Sequence, residues 1–183
     1  MKSSIAPEQE QAVCVTCGFC CDGTLFGHAV LKPEEKGNLP LLIKQRVFSV
    51  GEKDFFRLPC LYFSGRCTIY ESKRADVCGA YRCRLLSDMA AGIIDPGTAL
   101  EIVKGARLQR RDITEAYKSF SGNGSELPLT GILRELGRYS VQMEGGGEPD
   151  SDYEMLLARC NIFEALLIRH FRPESDFESM VMK

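Results

Sequence analysis

The chain has 183 residues, 44% of them hydrophobic and 26% charged, with a formal net charge of -2. That length and composition describe one globular domain, alone or with appendages. They exclude whole-chain disorder, a collagen-like repeat and a membrane span of about 18 apolar residues. The slight negative charge argues against nucleic acid as the main partner.

Cysteine breaks the ordinary pattern. There are nine, and eight of them lie between Cys14 and Cys83. Over that stretch they are denser than the roughly 8–10% that marks a disulfide scaffold in a short secreted chain. Residues 1–13 are polar and lack the apolar core of a signal peptide, so the expected compartment is cytoplasmic. Thiols there stay reduced, and a cysteine cluster reads first as a metal site. A disulfide-stapled exported domain is the structural alternative.

In chain order, residues 1–13 form a short helix or a tail. Leu25 to Leu31 reads as a short strand, Pro33 to Lys36 as a helical first turn, and Leu41 to Val50 as an apolar run of ambiguous period. Arg57 to Tyr70 reads as a tight hairpin about a Ser-Gly turn, with Cys60 and Cys67 on its arms. A helix is expected from Asp76, with Cys78 and Cys83 near its start. Asp95-Pro96 opens a helix that runs to Phe120. Its apolar stripe is Ala99, Ile102, Val103, Ala106, Ile113, Ala116, Tyr117 and Phe120. Residues 121–150 hold seven of the 17 glycines, as connectors around a short helix near Leu129 to Tyr139. A last helix runs from Ser151 or Asp152 to His170, with Tyr153, Leu156, Leu157, Cys160, Phe163 and Leu167 at helical spacing. The expected fold is mainly α, with a small irregular cysteine-rich metal-binding core containing a short β-hairpin. Residues 14–85 form the cysteine-cluster region, 86–172 a helical region packed on it, and 1–13 and 173–183 are tails.

Cys14, Cys17, Cys20 and Cys21 form a C-x2-C-x2-C-C run. C-x2-C is the spacing by which a turn points two thiolates at one ion. Four cysteines in eight residues, with Cys60, Cys67, Cys78 and Cys83 downstream, point to a soft metal or an iron–sulfur cluster. Cys20 and Cys21 are adjacent, so in an extended chain their side chains face opposite ways and serve two centres, or one is spare. Eight ligands match two four-cysteine sites or one polynuclear cluster, and their spacing leaves the division open. All-thiolate ligation suits zinc and iron alike. Lys44 to Leu85 carries a net charge of +5. Arg57, Arg66, Arg74, Arg82 and Arg84 either shield thiolates or form a solvated basic face. His28 reads as a strand residue with second-shell work as the alternative, His170 as a partner of helix-end carbonyls, and Cys160 as core.

These residues resemble the YkgJ-type cysteine-cluster family, described as a zinc- or iron-chelating domain. The resemblance rests on Cys14, Cys17, Cys20, Cys21, then Pro59-Cys60, then Gly65-Arg66-Cys67-Thr68-Ile69-Tyr70, then Cys78 and Cys83. It covers residues 14–83 and implies that these eight cysteines bind metal. Lys73-Arg74-Ala75 and Gly79 depart from the family's usual Arg-Pro and Cys-Arg. The same domain is found in bacterial flagellin lysine N-methylases.

Three functions follow as expectations. The first is a metal-binding cysteine-cluster protein holding zinc or iron, the latter as an iron–sulfur cluster, with metal ions as the partner and no membrane. The second is an iron–sulfur enzyme, either an electron carrier or similar to the lysine methylases. Against it, no G-x-G-x-x-G follows a strand. The third is a thiol redox sensor using a Cys20–Cys21 disulfide. Hydrolysis has no motif behind it, and no catalytic residue is assigned.

Overall fold

A computed structural model of the chain describes residues 8–122, 124, 126–143 and 150–172. Contacts divide it into two compact units, one ending at Val103 and the other beginning at Lys104. Among the described residues the fold is mainly helical, with one small antiparallel sheet. No helix among them is long and apolar enough to cross a membrane.

The first unit starts with α1 (Glu8–Cys17). Glu8 and Glu10 in its first turn suit the positive end of the helix dipole. Glu10, Val13, Cys14 and Cys17 share one face by spacing. Gly18 ends the helix at φ +71°, and its N–H donates to the Cys14 carbonyl at 3.2 Å, a left-handed glycine terminus. Of the short helix or tail expected at the start of the chain, the helix is observed from Glu8, and it runs on to carry the first two cysteines; residues 1–7 and 173–183 lie outside the described residues.

The sheet has the order β1 (His28–Leu31), β3 (Lys53–Arg57), β2 (Val47–Val50). A 3-10 turn, Pro33–Asn38, follows β1. The ambiguous run Leu41 to Val50 resolves into two elements, α2 (Leu41–Lys44) and β2. The hairpin is β2–β3, with Val50 opposite Lys53 and Gly51 at φ +58° in the two-residue turn. The hairpin expected over Arg57 to Tyr70 is not formed. That segment is a series of turns with a single bridge, Phe63 to Cys67. Pro59 has no N–H to give a ladder, and Gly65 turns the chain at φ +70°.

One face of the sheet is buried. Leu31 and Phe56 pack with Ile43 and Ala75, and Cys60 and Cys78 pack against this small core. The other face carries Phe48 stacked on Phe55 at 5.5 Å, with His28 edge-on to both. The helix expected from Asp76 is broken into α3 (Val77–Ala80) and α4 (Arg84–Ala90). Glu35 accepts the Asp76 N–H at 2.5 Å, and Lys32 meets the Asp76 carboxylate at 2.6 Å, which ties the start of α3 to the 3-10 turn.

The Asp95-Pro96 start is observed. Asp95 accepts the Thr98 N–H at 3.0 Å and opens α5 (Pro96–Ser121), which spans the division between the units. In the second unit Ala106, Ile113 and Tyr117 of α5 are buried. So are Leu129, Ile132 and Leu136 of α6 (Leu129–Met143), and Tyr153, Leu156, Cys160, Phe163 and Leu167 of α7 (Ser151–His170). Asp150 accepts the Asp152 N–H and caps α7. Tyr139 lies 4.8 Å from Tyr153 and 5.2 Å from Phe120. Cys160 is fully buried in this core, as its helical stripe requires.

Candidate metal centre

Four separate stretches of the first unit carry the eight cysteines. Cys14 and Cys17 lie three residues apart on α1. Cys20 and Cys21 follow in the turn that Gly18 begins, where the Gly18 carbonyl accepts the N–H groups of Cys21 and Asp22 at 2.8 and 2.9 Å. Phe19 beside them is 1% exposed and anchors the turn in the core. Cys21 then accepts the Cys60 N–H at 2.7 Å, which seats the third stretch on the first. The Cys60 carbonyl accepts the Phe63 N–H at 3.0 Å, and Phe63 bridges to Cys67. Cys78 sits in α3, and Cys83 holds the N-cap position of α4.

Two devices lock α1 to the rest. Glu10 is 5% exposed and pairs with Arg82, the residue before Cys83. α1 also packs on α4 directly. On the other side, the Phe63 ring lies where a side chain on Gly18 would go, so only glycine allows this approach.

All nine cysteines are free thiols. Burial raises the pKa of the Cys14, Cys17, Cys20, Cys21, Cys60 and Cys83 thiols, because a charged sulfur loses its hydration there. Cys78 is pushed up to about 11, chiefly by burial and then by Cys60. The other cysteines add to these shifts. Cys83 and Cys14 act on Cys17; Cys17, Cys14, Cys83 and Cys21 act on Cys20. Cys78, Cys14, Cys60 and Cys67 act on Cys21. Cys67 acts on Cys60, Cys78 and Cys14.

The opposing charges are few. Arg74 lowers both Cys14 and Cys78, with its guanidinium 4.2 Å above the Tyr70 ring. Arg46 lowers Cys60, a role the sequence did not assign to it. At Cys83 the N–H groups of Leu86 and Leu85, at the start of α4, work against burial. The expected shield is thus partly realised. Arg74 takes that role, whereas Arg57 covers the Phe48 ring at 4.6 Å, Arg82 pairs with Glu10 and Arg84 lies 3.8 Å from Asp88. His28 belongs to the aromatic face of the sheet instead of the thiol cluster.

The donor set fits a soft metal in its chemistry. It is all sulfur, half-buried and partly countered by arginine. The side chains do not close on a common point: among the described residues, no three His, Cys, Asp or Glu are placed together as a metal site. One torsion, χ1, moves each cysteine sulfur between staggered positions. No family model matches the chain, and no curated protein or solved structure matches it.

Proposed function

We propose that this chain is a metal-binding cysteine-cluster protein in which Cys14, Cys17, Cys20, Cys21, Cys60, Cys67, Cys78 and Cys83 hold zinc or iron centres. The observation that supports this reading most is the mutual neighbourhood of the eight thiols. For six of the eight, other cysteines of the set contribute to the raised pKa, although the residues are spread over Cys14 to Cys83. The resemblance to the YkgJ-type cysteine-cluster family, carried by the same eight residues, supports the same reading.

Buried thiols with raised pKa values are neutral at pH 7. Thiolate ligation therefore releases protons, and the bound cation then removes the cost of burying sulfur charge. Ligation through four thiolates leaves no open position, so the role is structural or electron-carrying. The bound metal would fasten segments that have little regular structure of their own, chiefly residues 58–76 and the turn from Gly18 to Leu25.

Anaerobic purification followed by assay of zinc, iron and acid-labile sulfide tests this. Stoichiometric zinc, or iron with sulfide, is expected, and replacing the eight cysteines by serine abolishes it. Metal-free wild-type protein that also takes up neither metal on reconstitution overturns it.

A further inference from the structure

We infer that the eight cysteines divide between Cys20 and Cys21 into two four-sulfur centres, the first from Cys14, Cys17, Cys20 and Cys83 and the second from Cys21, Cys60, Cys67 and Cys78. This rests on the metal-binding reading and deepens it. The spacing alone allows many divisions; the fold selects one.

The first group is built on α1. Cys14 and Cys17 share a helical face, and Cys83 begins the helix that packs on α1. The pair between buried Glu10 and exposed Arg82 pins the residue before Cys83 to the same helix. Cys20 follows Cys17 by three residues across the Gly18 turn, and the sulfurs acting most strongly on it are Cys17, Cys14 and Cys83.

The second group is built on the small sheet core. Cys60 and Cys78 both pack against Leu31, Ile43, Phe56 and Ala75. Cys21 holds the Cys60 N–H at 2.7 Å, and Cys67 is bridged to Phe63, whose N–H bonds the Cys60 carbonyl. Cys78 is the sulfur acting most strongly on Cys21, followed by Cys14, Cys60 and Cys67.

Cys20 and Cys21 lie in the hydrogen-bonded Gly18 turn and not in the extended chain expected. Neighbouring residues in such a turn do not share a face, so they serve different centres. The centres are neighbours. Cys14 lies nearest the division, with Cys83 acting on it before Cys67, and Arg74 faces one thiol of each group, Cys14 and Cys78. Four thiolates per centre is the closed complement of a tetrahedral site.

Metal content of paired serine variants of the full chain tests the division. Cys17→Ser with Cys20→Ser, and Cys67→Ser with Cys78→Ser, should each keep half of the wild-type metal. Cys20→Ser with Cys21→Ser should lose all of it, although its two changes are adjacent. Retention of half by the last pair, or complete loss by all three, overturns the division. Cadmium-113 spectra of single variants guard against misfolding. Wild-type protein should give two resonances, with Cys20→Ser moving one and Cys78→Ser the other. Both variants moving the same resonance also overturns it. A wild-type chain that binds neither its own metal nor cadmium instead overturns the metal-binding reading itself.

Discussion

Gly18 joins the helix that carries Cys14 and Cys17 to the loop that carries Cys60 and Cys67, and replacing it with alanine perturbs both sides. The first cost is conformational. Gly18 sits at φ +71°, where a Cβ meets the carbonyl and an L-residue is disfavoured by about 1–2 kcal/mol. The second is steric, because the new methyl would overlap the tip of the Phe63 ring. Overpacking costs roughly 1–3 kcal/mol, and here the lower half applies because Phe63 is only half-buried and its ring can turn away. The sum is about 2–4 kcal/mol. Gly65 is the control, with φ +70° and nothing within 4 Å of a built Cβ, so Gly65→Ala costs only about 1–2 kcal/mol. Thermal unfolding by circular dichroism, at fixed metal and reductant, reads the difference as roughly 2–4 °C per kcal/mol for a chain of this size. Adding Phe63→Ala to Gly18→Ala should return the steric part, so the double variant is more stable than the two single losses predict. Equal losses at Gly18 and Gly65, or strict additivity with Phe63→Ala, would refute the close approach.

Arg82→Ala should cost more stability than Glu10→Gln in urea denaturation, by about 1–2 kcal/mol, because it strands a 5%-exposed carboxylate whereas Arg82 is 39% exposed at its side chain; the reverse order contradicts the pairing. The Thr24 hydroxyl is buried with no hydrogen-bond partner among the described residues, so Thr24→Val should be neutral or stabilising by up to about 1 kcal/mol by the same assay. The turn survives that change because the Thr24 bond to Asp22 is made by its backbone N–H. Burial, then Glu164, raises the Cys160 thiol from 9.0 to about 11. The unfolded chain loses this proton first, so the contribution is whole below about pH 9 and falls away as pH climbs to about 11. Between about pH 8 and pH 10.5 wild-type protein should lose ~2 kcal/mol more than Cys160→Ala, and parallel pH curves would contradict the buried neutral thiol.

The long helices were legible because their burial repeats. The stripe of α5 buries Ala99, Val103, Ala106, Ile113 and Tyr117, and that of α7 runs from Tyr153 to Leu167. The start of α5 carried local chemistry too, in Asp95-Pro96. Elements of four residues hold barely one turn of period, so α2 and α3 were hidden and the break before Cys83 was missed. The hairpin was placed too late in the chain. Leu41 to Val50 looked like one apolar run because α2 and β2 abut, and the turn at Gly51-Glu52 is less conspicuous than Ser64-Gly65.

The cysteine pattern was legible as a candidate site because spacing is a property of the chain. Its spatial grouping was not. That depends on long-range contacts, such as the Cys60 N–H on the Cys21 carbonyl and Arg82 on Glu10. The arginines illustrate the same limit. A net charge over Lys44 to Leu85 says that counter-charge is at hand, but only the fold separates Arg74 and Arg46, which act on thiols, from Arg57, which covers a ring.

The central claim is that these sulfurs ligate metal, and X-ray absorption fine structure at the metal edge of the anaerobically purified protein tests it most directly. A first shell of four sulfurs per metal, at about 2.3 Å for zinc, is predicted, with no nitrogen or oxygen neighbour. A shell dominated by nitrogen or oxygen would contradict it.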